Sequence, residues 1–425
     1  MFTTSSPLHD QPARRRAALP AMRLRAGAAR LGATLLLALL SACGGGGSSS
    51  DSGSGSGTGS GTGSTLTAQA ALGEKIFADT SLSASGRQSC ASCHSASAGH
   101  AQDNALAAQL GGADLTLQGG RVSPSIRYLA SNRAFAIAAD GTPSGGFFWD
   151  GRAASLADQA GGPFLNPVEM AMPSKAAVVA KLVQSSYAAE FQRVYGADIF
   201  ERPDDAYERI KLSLQRYQLE DAAFQPYTSK YDEFLRGRSS LSDAELRGLA
   251  LFNSPSKGNC AACHPSAKGS DGSLPLFTDF SYDNLGVPRN TELAANADAS
   301  TYDLGLCARS TGDLTGRTDL CGAFKVPSLR NVALRKALFH NGRFKTLKEA
   351  LTFYVQRDLY PEKFYSLNAD GSMNRYDDLP AAYKANVNTS EAPYNRRAGE
   401  APALSDSEID DVIAFLSTLT DGWAR

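Results

Sequence analysis

The chain has 425 residues, 42% of them apolar and 20% charged. This balance excludes a disordered protein, and the length predicts more than one domain. The formal net charge is −1, but residues 1–42 hold six Arg and one Asp, leaving 36 basic against 42 acidic residues beyond them. A mildly acidic body gives no support to nucleic-acid binding through a basic face.

Arg23, Arg25 and Arg30 precede an apolar run from Leu31 to Leu40, followed by Leu40-Ser41-Ala42-Cys43. A basic stretch, a short apolar stretch and small residues at the cut predict an export signal over residues 1–43. The run is too short to span a membrane, and no apolar run of spanning length follows it. The last four residues resemble a bacterial lipobox. That implies a lipid on Cys43 and a body anchored on the periplasmic side of a membrane by that lipid alone. Met22 is a second candidate start. Residues 44–64 are almost entirely Gly, Ser and Thr, and are read as a flexible tether.

Four of the seven cysteines form Cys90-Ala91-Ser92-Cys93-His94 and Cys260-Ala261-Ala262-Cys263-His264. C-x-x-C-H is the attachment pattern of c-type haem: two thiols one helical turn apart meet the vinyl groups, and His94 or His264 supplies an imidazole to iron. A zinc site would want its ligand pairs close together, and a redox C-x-x-C does not need the His twice. Two covalent haems are therefore expected. In an exported chain Cys307 and Cys321 are expected to form a structural disulfide closing a surface loop.

Gly73-Glu74-Lys75-Ile76-Phe77 and Gly248-Leu249-Ala250-Leu251-Phe252 each end an amphipathic helix that leads to a haem motif. The second helix opens with a capping box, Ser242 and Glu245, as do helices at Thr346/Glu349 and Ser405/Glu408. A duplicated haem unit explains the length. The expected fold is mostly α, with cytochrome c-type domains over residues 65–238 and 239–425.

Several stretches then resemble the bacterial dihaem cytochrome c peroxidases and their MauG-type relatives, over residues 70–421. They are Leu82-Ser83-Ala84-Ser85-Gly86, Phe148-Trp149-Asp150-Gly151-Arg152, Asn166-Pro167-Val168-Glu169-Met170, Lys325-Val326-Pro327-Ser328-Leu329-Arg330-Asn331 and Phe339-His340-Asn341-Gly342. The resemblance implies two cytochrome c domains packed with their haems face to face. It implies peroxide chemistry at the first haem, with the second storing or relaying electrons. By the same resemblance Trp149 is the electron bridge, Gln159 lines the peroxide pocket, Glu169 is the acid/base and His340 lies near the second haem.

The departures from the peroxidase pattern are informative. The position of a capping His on the first haem falls near Asp114, which leaves that iron an open sixth site. His100 is read as a solvated loop residue. Tyr354 stands where peroxidases place a Met ligand, and MauG-type relatives carry a Tyr there, which implies that Tyr354 ligates the second iron. A bridging calcium in relatives is held partly by an Asn, replaced here by Val122. The matching Thr and Pro are Arg335 and Ala337, leaving main-chain carbonyls for the ion. The implied partners are hydrogen peroxide and either an electron donor (a small cytochrome or a cupredoxin) or an oxidisable protein substrate. The non-enzymatic alternative is a dihaem electron-transfer cytochrome.

Overall fold

The computed structural model describes residues 66–424. The leader, Cys43 and most of the Gly/Ser tether lie outside the described residues. The first half carries α1 (Ala68–Ala78), α2 (Cys90–Cys93), three helices α3 (Leu156–Leu165), α4 (Lys175–Val183) and α5 (Ala188–Tyr195), and the long α6 (Pro203–Glu220). The second carries α7 (Lys230–Leu235), α8 (Asp243–Asn253), α9 (Leu347–Gln356) and α10 (Asp406–Ser417). Long loops hold three short antiparallel pairs: β1 (Leu110–Gly111) with β2 (Leu117–Gln118), β3 (Ala136–Ile137) with β4 (Pro143–Ser144), and β5 (Tyr282–Asp283) with β6 (Phe324–Lys325). The regular structure is mostly helical, as the sequence pattern leads one to expect.

Local chemistry starts these helices. Thr67 Oγ1 accepts the Ala70 N–H at 3.3 Å at the head of α1. The expected capping boxes form at Ser242/Glu245, Thr346/Glu349 and Ser405/Glu408. Pro203 opens α6, and Asp204 and Asp205 place negative charge at its N-terminus.

The repeat seen in sequence is a repeat of packing. A Cβ on Gly73 would lie 2.0 Å from the Ser213 carbonyl oxygen of α6, and a Cβ on Gly248 would lie 2.0 Å from the Asp411 carbonyl oxygen of α10. Each glycine therefore lets its helix touch a later helix backbone to backbone, and a side chain there would force the pair apart. Four residues on, Phe77 meets Tyr217 at 5.6 Å between ring centroids, and Phe252 meets Phe415 at 5.2 Å.

Two separate apolar cores result. One gathers Leu72, Ile76, Phe164, Leu182, Phe191, Ile210 and Leu214; the other gathers Phe252, Phe277, Leu351, Phe353, Ile409, Val412 and Phe415. The changeover lies between Phe224 and Tyr231, upstream of residue 238, because Tyr231 and Phe234 of α7 pack on the second core.

Cys307 and Cys321 form a disulfide. Its loop is more deeply packed than the surface loop expected from its polar composition. Leu306, Leu314, Leu320 and Ala323 make a satellite core against Phe135 and Tyr282. Arg309 lies over the Phe135 ring at 3.9 Å and donates to the Gly151 carbonyl at 3.2 Å. The disulfide loop thus braces the segment that carries Trp149.

Candidate functional site

Both C-x-x-C-H motifs open into one cavity of about 660 Å³. In the first, Ser89 and Ser92 cap α2, which sets Cys90 and Cys93 one turn apart. Gln88 Nε2 donates to the Leu110 carbonyl at 3.0 Å and reaches Cys93 Sγ at 3.6 Å. His94 Nδ1 lies 3.2 Å from the His100 carbonyl oxygen. A carbonyl only accepts, so Nδ1 carries the proton and Nε2 is left for iron. The second motif repeats this device, with His264 Nδ1 2.7 Å from the Phe277 carbonyl oxygen. Burial pulls the His94 imidazole down to about 4, the neutral form that a metal ligand requires. The donor set fits c-type haem at both sites: two thiols and an oriented, neutral imidazole bordering one cavity.

His100 is not the solvated loop residue that its Ser/Ala/Gly-rich surroundings suggest. It is 3% exposed, because the backbone turns through φ 52° there and sends the ring inward. The ring meets Phe224 at 4.3 Å, and its Nδ1 accepts from Arg127 Nε at 3.0 Å. Its carbonyl holds His94, so His100 supports the imidazole from behind and does not cap the iron.

Glu169, Gln159 and Trp149 line the same cavity. Gln159 projects from α3, whose N-cap is Ser155. Glu169 lies in the turn after α3, where its carbonyl accepts the Gly112 N–H at 2.8 Å. Burial pushes its carboxyl above the usual carboxylate range, opposed by the charge of Arg152 and by the Asn166 side chain. Arg152 lies 3.6 Å over the Phe148 ring and donates to Asp150 at 2.9 Å. Asp150 also accepts from Arg121 Nη1 at 2.7 Å, and Arg121 makes a two-pronged contact with Asp303 at 2.6 and 2.7 Å. Trp149 Nε1 donates to the Val122 carbonyl at 2.8 Å.

At the second motif the Thr346 cap starts α9, and its register brings Tyr354 to the cavity wall. Its Oη makes no hydrogen bond among the described residues. Burial raises its phenol far above the ordinary value, and the nearby Cys260, Asp283 and Cys263 act in the same direction. The phenol therefore stays protonated unless a metal displaces the proton. Tyr394 lies 5.7 Å from it, and Arg357 lies 5.0 Å over the Tyr394 ring. His340 stacks on Phe324 at 3.5 Å, and burial pulls it down to about 4 against the pull of Asp303.

Sequence reasoning did not single out Lys325, Tyr394 or the Arg121–Asp150–Arg152 cluster as site residues. Lys325 Nζ is enclosed and donates to the Gly146 carbonyl at 2.7 Å; burial pulls it down to about 7. Lys325 and Asp150 lie inside the quoted motifs, so a signal was present for them. Tyr394 carried none.

Two C-x-x-C-H motifs on one cavity, each on its own helical core, fit the donor arrangement of a dihaem c-type cytochrome. A family model described as di-haem cytochrome c peroxidase matches residues 67–240. The methylamine utilization protein MauG of Paracoccus denitrificans is 36% identical over 363 residues, covering 83% of this chain and 89% of that protein. The cytochrome c551 peroxidase of Nitrosomonas europaea is 33% identical over 286 residues, covering 66% and 71%. The crystal structure of the diheme peroxidase BthA from Burkholderia thailandensis superposes with a TM-score of 0.77 at 37% identity, covering 83% of this chain and 86% of that one. The chain belongs to the dihaem cytochrome c peroxidase/MauG family and is a haem peroxidase by that membership.

Proposed function

We propose that the chain reacts with hydrogen peroxide at the haem attached to Cys90 and Cys93, shares the two oxidising equivalents with a second haem at Cys260 and Cys263, and then oxidises a protein partner. The observation that carries this reading is the single cavity bordered by both motifs, Trp149, Glu169 and Tyr354. When bound, the first haem supplies the iron at which peroxide is reduced.

The remaining roles belong to this chain. His94, held through Nδ1, ligates the first iron. With Asp114 near the position of a capping His and the His100 ring turned towards Phe224 and Arg127, no His would cap that iron, and peroxide could reach it. Glu169, raised by burial yet bordered by Arg152, can take the proton from one peroxide oxygen and deliver it to the departing one. Gln159 orients the peroxide by hydrogen bonding. Trp149 provides an aromatic path between the two halves of the cavity. Tyr354 and His264 hold the second iron; a phenolate is a hard anionic donor that suits a haem storing oxidising equivalents.

Electrons arrive by outer-sphere transfer from a small cytochrome or cupredoxin, or from the side chains of a protein substrate. A lipid on Cys43 would keep the body at a membrane on the periplasmic side. Stopped-flow mixing of the two-haem protein with peroxide tests the reading: one equivalent should change both haem spectra, and a spectrum indifferent to peroxide would leave a plain electron-transfer cytochrome.

A further inference from the structure

In the relatives a calcium ion bridges the two haem units; the departures at Val122, Arg335 and Ala337 already speak against it here, and the side chains at this junction do not fit one. Calcium takes six to eight oxygen ligands, usually with carboxylates among them. At the expected Asn position stands Val122, which is 1% exposed and offers no side-chain oxygen. Its carbonyl is engaged by Trp149 Nε1 at 2.8 Å.

What the junction does hold is a positive charge. Arg335 Nη2 donates to the Ser123 carbonyl at 3.0 Å, one residue from Val122. Its side chain borders the cavity on to which both haem motifs open. No carboxylate pairs with the guanidinium among the described residues, and burial alone pulls it down, to about 10. It stays charged at neutral pH. A dication placed beside this guanidinium would be repelled in a medium that screens poorly.

We propose that the Arg335 guanidinium is a built-in cation that replaces calcium at this junction, so that the two haem units are held together with no bound metal. Arg335 follows the turn at Val332, a residue of the second core, while Ser123 shortly precedes Ile126 of the first. One charge-assisted bond therefore ties the units. The guanidinium also lies close enough to His94 to disfavour its protonation. The same charge would act on an iron held by His94 and would favour its ferrous state. Arg335 is thus a positioning residue with an electrostatic effect. The inference rests on the dihaem reading.

The test uses the two-haem protein, with haem content read by mass on the same sample so that the dihaem reading is judged separately. After exposure to calcium and desalting, elemental analysis should find far less than one calcium per chain. EGTA should leave the ferric spectrum and the thermal midpoint unchanged. One retained calcium per chain, whose removal by EGTA alters the haem spectrum, would overturn the proposal. Arg335→Gln keeps a donor but removes the charge. It should make the reduction potential of the His94 haem more negative and lower the thermal midpoint, with Arg335→Lys restoring much of both. A Gln variant with wild-type potential and midpoint would equally overturn it.

Discussion

The indole N–H of Trp149 donates to the Val122 carbonyl at 2.8 Å, and the Val122 N–H donates to the His340 carbonyl at 2.8 Å. The proposed electron path is therefore fixed to main chain from both halves of the molecule, and Trp149 cannot turn without releasing a bond. Trp149→Phe keeps an apolar ring but abandons this anchor, at a cost of about 1 kcal/mol in stability. Both haems should remain. After one equivalent of peroxide, the spectral change of the second haem should lag behind that of the first. Changes that stay synchronous in stopped-flow traces would remove Trp149 from the path.

Glu169 gives a prediction with a pH sign. As a base its carboxyl must be ionised, and burial raises the pH at which that happens. The rate of reaction with peroxide should fall as the pH drops through that raised value, which lies above the ordinary ~4.3 of glutamate. Glu169→Gln should slow the reaction by roughly 10²–10⁴-fold and abolish this acid limb. The resting spectra should not change. A variant that keeps both rate and limb would show that another group moves the proton.

The buried pair of Arg330 and Asp232 predicts a stability effect. Arg330 donates to both Asp232 oxygens at 3.0 and 2.8 Å, with side chains only 1% and 0% exposed. Arg330 also lies 4.6 Å over Tyr128 and 4.7 Å over Tyr227. Asp232→Ala strands a buried guanidinium and should cost about 3–5 kcal/mol. The pair holds the Asp232 carboxyl below its ordinary value. Its contribution is therefore present above the unfolded carboxyl's pKa and is lost as the pH falls through the lower folded one. Denaturant titration at two pH values measures both effects.

Much of this was legible in the sequence. The two C-x-x-C-H motifs and the three capping boxes depend on neighbours a few residues apart, and the three caps form as read; the paired glycines were visible as a repeat, but the backbones they touch lie far along the chain, on α6 and α10. The failures are long-range. His100 looked solvated because its neighbours are small and polar; its burial comes from Phe224, over a hundred residues away. The Cys307–Cys321 loop looked like surface because its composition is polar, yet Arg309 reaches Phe135 and Gly151. Tyr394 beside Tyr354 had no local pattern to announce it.

Tyr354 can be tested by spin state. If its oxygen ligates the second iron, ferric wild-type protein should lack a Met–iron charge-transfer band. Tyr354→Phe should turn that haem towards high-spin or water-ligated. Tyr354→Met should raise its reduction potential, since thioether favours ferrous iron. If Tyr354→Phe keeps the low-spin spectrum and potential, the ligand is another group, with His340 the first to examine.

The electron paramagnetic resonance spectrum of the resting ferric protein, before and after one equivalent of hydrogen peroxide, tests the central claim most directly. The account predicts one high-spin signal, from the His94 haem with its open face, and one low-spin signal, from the haem held by His264 and Tyr354. Peroxide should diminish both together. Two low-spin signals that persist unchanged after peroxide would contradict it.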